Sequence, residues 1–188
     1  MFNSIISLFL RIFFPKTCIS CSKEGTHLCE DCISLIPINA WLYPPRQPSS
    51  LDGLFCATPY QNKLIKTVIE KYKNPPFLKD LSLQLSYIII SHFSNVHNAI
   101  NIKDFHIVPV PLNRKKLKWR GFNQSEEIAK ELSKSLNIPF NTVDNSMVNK
   151  NILLVDDIYK TGNTMETAAK VLKEAGANTI WGVVVARK

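Results

Sequence analysis

Four apolar residues, Ile152-Leu-Leu-Val155, run directly into Asp156 and Asp157, then Ile158-Tyr159-Lys160, then the turn Thr161-Gly-Asn-Thr164. Apolar side chains in an unbroken row suit a strand buried on both faces, as in a parallel sheet. The helical run 165–175 after the turn supplies the crossover that such a sheet requires. The segment therefore constrains the chain to an α/β fold. Asp156 and Asp157 fall where the strand is expected to end, the edge at which open α/β sheets bind ligands. The turn presents backbone N–H groups at a helix N-terminus, where unpaired donors and the dipole favour a phosphate. Gly162 permits close backbone approach, and Thr161 and Thr164 add hydroxyls. Carboxylates for ribose hydroxyls beside a phosphate cradle describe a ribose 5-phosphate site.

Two other readings compete with this one. A buried strand ending in Asp-Asp also opens response-regulator receiver domains, where paired acids hold Mg²⁺. Such a domain needs a phospho-acceptor Asp on a later strand, and no Asp follows Asp157. The acids could also cap an ordinary helix, but the acids, the glycine and the flanking threonines all fit one ligand.

The 188 residues give room for one substantial domain and a small appendage. Four of the five cysteines form two Cys-x2-Cys pairs, Cys18 with Cys21 and Cys29 with Cys32. Paired thiolates on tight turns suit tetrahedral Zn²⁺, and a closed four-thiolate shell makes the metal structural. Two disulfides in a secreted protein are the alternative, disfavoured because no cleavable signal precedes the pairs. His27 could replace one ligand, although four thiolates already complete the shell. Cys56 stands apart and reads as a small buried apolar residue. Residues 2–14 are apolar except for Ser, Asn and Arg11, too short to span a bilayer. They read as a helix packed on the zinc module or the main domain, with a membrane-surface anchor as the alternative.

The proline- and aromatic-rich residues 37–48 read as a linker or strap. Strands are expected over 54–60, 105–110, 152–155 and 179–186, with a short one at 138–140. Helices are expected over 64–72, ended by Pro75-Pro76, over 78–93, and to Leu136 from an Asn123 cap with Glu126 three residues on.

The net charge of +8 is unevenly placed: residues 61–120 hold 11 basic and 3 acidic side chains, whereas the two flanking thirds are balanced. A basic loop runs between Leu112 and Phe122, with Arg114, Lys115, Lys116, Lys118 and Arg120 beside Trp119. Five cations exceed what one diphosphate needs, and cations among aromatic rings suit single-stranded nucleic acid. The bland alternative is a solvated loop with Trp119 tucked into the core.

Residues 151–164 resemble the phosphoribosyl-pyrophosphate (PRPP) signature of type I phosphoribosyltransferases. Most of the chain resembles the ComF competence family (ComFC-like proteins): the four cysteines, Val108-Pro-Val-Pro-Leu112, Arg120-Gly-Phe-Asn-Gln124, the signature and the closing strand 181–187 occur in the family's order. The resemblance implies a type I phosphoribosyltransferase-like parallel sheet with helices on both faces and a small N-terminal four-cysteine zinc module. Residues 1–50 would hold the apolar helix, the zinc module and the Pro-rich linker, and residues 51–188 the phosphoribosyltransferase-like domain. Asp156 and Asp157 would meet the ribose hydroxyls, directly or through water and Mg²⁺. Lys160, Thr161, Gly162, Asn163 and Thr164 would hold the 5′-phosphate, and Pro109, Val110, Pro111 and Leu112 would face the pyrophosphate of PRPP. No catalytic residue is assigned.

The family's members handle incoming single-stranded DNA during transformation, which makes single-stranded DNA an expected partner and the cytoplasm the expected location, with peripheral attachment to the inner membrane as a variant. The N-terminal helix would then contact the membrane or a protein of the competence machinery. Tyr72 and Lys73 match a basic-aromatic feature of the family and would extend the nucleic-acid face. The alternative function is an active transferase moving ribose 5-phosphate from PRPP to an acceptor. Two departures bear on that choice. Tyr159-Lys160 stand where small residues are usual before Thr-Gly. Residues 141–150 replace a longer family segment that includes the loop closing over PRPP, which argues against efficient turnover.

Overall fold

The computed structural model describes residues 15–96, 100–142 and 147–188, so the expected helix at 2–14 lies outside the described residues. Strands β1 (Gly53–Pro59), β2 (Phe105–Pro109), β3 (Asn151–Tyr159) and β4 (Thr179–Arg187) form one parallel sheet in the order β1-β4-β3-β2. The helices are α1 (Glu30–Ile33), α2 (Lys63–Lys73), α3 (Leu81–Asn95), α4 (Arg114–Arg120), α5 (Gln124–Leu136) and α6 (Asn163–Glu174). None of those described is long and apolar enough to cross a membrane.

The unbroken apolar run of β3 serves two cores at once. Leu153 and Val155 join Ile65 and Ile69 of α2, Leu85 and Ile89 of α3, and Ile128 and Leu132 of α5 on one face. Ile152 and Leu154 meet Met165, Ala169 and Leu172 of α6 on the other. Alternation at period two thus places both halves of the run in apolar surroundings, with helices on both faces.

Both sheet edges are covered. Along β1, the strap donates Asn39 N–H to Ala57 O (2.8 Å) and pairs Tyr43 with Leu54 in an antiparallel bridge. Along β2, the expected strand at 138–140 is reduced to one bridge between Ile107 and Phe140. Pairing both edges removes exposed templates for aggregation.

Asn123 caps α5 by accepting from Ser125 N–H at 3.1 Å. Glu126 pairs with Lys130 at 2.6 Å rather than returning to the cap. Three readings are corrected, one of them the alternative given for Trp119. The basic stretch after Leu112 is not a loop but the helix α4, capped by Asn113 and ended by Gly121 at φ 79°. Its Trp119 is not tucked into the core: it is 58% exposed and meets Phe77 edge-on at 4.9 Å. Strand β3 also continues beyond the two acids, because β4 goes on pairing with it at Ile158 and Tyr159.

Candidate functional site

Strand β2 stops opposite Val155, and Val110 N–H closes onto Val155 O at 2.9 Å before the chain turns away. Asp156 and Asp157 therefore lie in the part of β3 that overhangs β2 at the C-terminal edge of the sheet. Asp156 Oδ1 accepts from Ser125 Oγ at 2.7 Å and from Asp157 N–H at 2.8 Å. Asp157 Oδ1 lies 2.8 Å from Lys73 Nζ, with the two side chains 5% and 28% exposed. Burial and the neighbouring Asp157 charge push the Asp156 carboxyl up to about 7, against the Ser125 hydroxyl and Lys73.

The turn after β3 is built over a tyrosine. Gly162 has φ 85°, and a Cβ there would lie 2.5 Å from the Tyr159 hydroxyl, beneath the turn. Only glycine fits both the backbone conformation and the space. Tyr159 is buried, whereas Lys160, Thr161, Asn163 and Thr164 are exposed around it. Arg46 of the strap reaches the turn, its Nη1 lying 3.4 Å from Thr161 O.

A pocket of about 330 Å³ joins the acids, the turn after β3 and the loop after β2. Among its walls are Asp156, Asp157, Lys160, Thr161, Thr164, Val110, Pro111 and Leu112. Pro109, Gly162 and Asn163 stand behind or beside it; Asn163 lines a neighbouring apolar hollow of about 440 Å³ with Pro111 and Thr164. Helix α4 divides by face. Lys116 and Arg120, one turn apart, line the acid pocket. Arg114, Lys115, Lys118 and Trp119 are exposed outside it.

Tyr72 does not extend an exposed basic-aromatic face. It is fully buried, donates its hydroxyl to Gln124 O at 2.8 Å, and has its phenol pushed above the ordinary range by burial. Its neighbour Lys73 turns into the pocket. Nothing in local spacing ties Lys73 to Asp157, because the pairing depends on how α2 packs against the end of β3.

The four thiols of Cys18, Cys21, Cys29 and Cys32 lie within 4.8 Å of one another. The first pair sits on a tight knuckle, where Cys18 N–H bonds Lys23 O at 2.8 Å; Cys29 precedes α1, which carries Cys32. Zn–S bonds of about 2.3 Å hold tetrahedral thiolates roughly 3.8 Å apart, so the cluster fits Zn²⁺. Burial opposes ionisation of Cys18, but N–H groups of Cys21, Cys29 and Ser20 draw it down to about 6. Ser20 opposes the rise at Cys32, yet burial and the adjoining sulfurs push that thiol up to about 12. A cation at the centre would let all four ionise.

Residues 78–188 match the phosphoribosyl transferase domain family. The competence protein ComFC of Bacillus subtilis (strain 168) is 33% identical over 205 residues, covering 90% of this chain and 83% of that protein. ComFC of Streptococcus pneumoniae (strain ATCC BAA-255 / R6) is 28% identical over 129 residues, covering 69% of this chain and 56% of that protein. A purine phosphoribosyltransferase structure from Pyrococcus horikoshii Ot3 aligns with TM-score 0.40 at 17% identity, covering 56% of this chain and 80% of its own. The domain match begins after α2, so the cysteine cluster, the strap, β1 and Lys73 lie outside it.

Proposed function

The chain belongs to the phosphoribosyl transferase domain family and, within it, to the ComFC-like proteins, and on that premise we propose that it handles single-stranded DNA during natural transformation on a scaffold that binds PRPP or a related ribose phosphate. The observation that carries this reading is the shared pocket, in which the acids and the phosphate turn face two cations of a helix whose other face is basic and open. Asp156 and Asp157 take the ribose hydroxyls, Lys160, Thr161, Gly162, Asn163 and Thr164 hold the 5′-phosphate, and Pro109, Val110, Pro111 and Leu112 border the diphosphate. Two carboxylates beside a diphosphate form a donor set that suits Mg²⁺, which neutralises the charge of such a group when bound. Arg114, Lys115 and Lys118 track nucleic-acid phosphates, and Trp119 offers a stacking surface for a base. Zn²⁺ in the cysteine cluster has a structural role. The proposed place of action is the cytoplasm, with contact of residues 2–14 to the inner membrane or to a protein of the uptake machinery as a variant of that reading.

The test is anisotropy of a labelled single-stranded oligonucleotide across several salt concentrations, with and without Mg²⁺·PRPP. Binding that weakens steeply with salt and shifts on adding PRPP is expected. No binding at low salt would remove the DNA-handling reading. The intact acids and the glycine turn favour a second reading, a transferase moving ribose 5-phosphate to an acceptor. That reading expects pyrophosphate release from PRPP in the presence of candidate bases, and release no faster than in buffer would end it.

A further inference from the structure

Helix α3 differs from its neighbours in charge. Helices α2, α5 and α6 each carry four or five charged side chains, as helices at a protein surface do, whereas the 15 residues of α3 include no Asp, Glu, Lys or Arg. One side of α3 is spent on the core through Leu81, Leu85, Ile88 and Ile89. The opposite side carries Leu83, Tyr87 and Ile90, spaced four and three residues apart and so aligned in one stripe. Tyr87 is 47% exposed, and Leu83 and Ile90 are half-buried. A helix that is apolar on every side expects a cover on every side.

The chain enters the described residues beside this helix. Lys16 pairs with Asp80, the N-cap residue of α3, and its carbonyl accepts from Gly25 N–H at 2.8 Å. Pro15 therefore leaves from a fixed point at the N-terminal end of α3. Nine of the 13 residues 2–14 that precede it are apolar. At helical spacing Asn3, Ser4, Ser7 and Arg11 fall in one stripe about 100° wide, which leaves the rest of the surface apolar. Such a helix spans about 20 Å, against about 22 Å for α3.

We infer that the outward stripe of α3 is the seat of residues 2–14, which lie along it with Asn3, Ser4, Ser7 and Arg11 turned to solvent. The inference stands apart from the nucleic-acid and ribose-phosphate readings and uses none of their residues. Two other occupants match the stripe less well. A helix lying in a lipid surface draws on several Lys or Arg along its polar face, and Arg11 is the only cation of the segment. A second copy of the chain would have to displace a segment already tethered at Lys16, whose effective concentration at α3 is on the order of millimolar. The same apolar side cannot face α3 and a bilayer at once, so lipid contact by residues 2–14 would require them to leave the helix.

The test is hydrogen exchange of the wild-type chain in solution, without lipid, and then of Tyr87→Lys. Residues 2–14 are expected to exchange slowly in the wild type, because seated amides are protected. Exchange at the rate of an unfolded peptide would overturn the inference. Tyr87→Lys sets a charge in the stripe and is expected to speed exchange across 2–14 about tenfold or more, while α5 keeps its wild-type rate. Slow exchange across 2–14 that survives Tyr87→Lys would overturn α3 as the seat. A photoreactive p-benzoylphenylalanine at position 87 gives a readout that does not depend on how Tyr87→Lys folds. Mass spectrometry is expected to find it joined to residues 2–14 of the same chain. Adducts only to a second chain would assign the stripe to a dimer. Adducts only to lipid, with vesicles of phosphatidylethanolamine and phosphatidylglycerol present, would assign it to a membrane surface. Either result overturns the inference, as does the absence of any adduct.

Discussion

Asp157 is buried with Lys73 as its counter-ion, and that pairing decides what substitutions at either residue should do. Removing one member of a buried pair strands the other charge. Lys73→Met is expected to cost about 3 kcal/mol, the lower end for such pairs because Lys73 keeps some solvent contact. Adding Asp157→Asn to the same chain should recover part of that loss in urea unfolding, and no recovery would mean the two charges are not coupled. Asp156 makes a different prediction, in pH. Its carboxyl titrates near 7 in the folded chain and near 3.8 when unfolded, so between those values the folded state binds more protons. Stability of the ligand-free protein should therefore fall as pH rises from about 4 to about 7. Asp156→Asn should abolish that part of the slope in thermal melts, and an identical slope in the variant would refute the shifted titration. The acids and the Thr-Gly turn were legible because local chemistry advertises them. The contacts of Lys73, Gln124 and Tyr159 were not, since each is made across the fold although the residues themselves stand out in the sequence.

The cysteine cluster is an element-scale feature, because its buried side chains belong to the main core. Leu28, Cys29, Cys32 and Ile36 fall in the same apolar cluster as Leu81 and Leu85 of α3. Gln84 of α3 donates to Thr26 Oγ1 at 3.0 Å, and Lys16 pairs with Asp80 just before that helix. If Zn²⁺ holds the four thiols, stripping it should loosen the cluster and α3 together. We expect elemental analysis to find about one zinc per chain, and a strong chelator to lower the melting temperature in a single transition. Metal-free protein with an unaltered melt would remove the structural role. Elements with a clear apolar period or a cap, such as α2, α5, α6 and the core strands, were readable from sequence to within a few residues. Helix α4 was not, for its seven residues hold five cations and no buried side chain to reveal a period. The last four residues of β3, from Asp156 to Tyr159, were also missed, because their continued pairing with β4 up to Arg187 leaves no local mark in a stretch that opens with two carboxylates.

At the scale of the molecule, the charge surplus and the pocket meet on one helix without being the same thing. All of the net +8 falls in residues 61–120, yet several of those cations are already committed. Lys73 is tied to Asp157, Lys79 pairs with Glu127 at 3.0 Å, and Lys116 and Arg120 line the cavity. Of the exposed remainder, Arg114, Lys115 and Lys118 lie together on α4, next to a tryptophan that is itself mostly in solvent, whereas Lys63, Lys66 and Lys71 lie on α2 and Lys103 precedes β2. The two proposed binding functions should therefore separate by mutation. Lys115→Glu with Lys118→Glu leaves every pocket-lining residue in place while reversing two charges on the outer face. If that face tracks a strand, oligonucleotide affinity should drop about tenfold or more, and the plot of log affinity against log salt should become shallower by roughly one to two counterions. Ribose 5-phosphate binding should be unchanged within about twofold, because the substituted charges face solvent and are screened over about 8–10 Å. A double variant with the wild-type salt slope would show that nucleic acid does not use this face. Equal loss of both ligands would show instead that the two sites cannot be divided along α4.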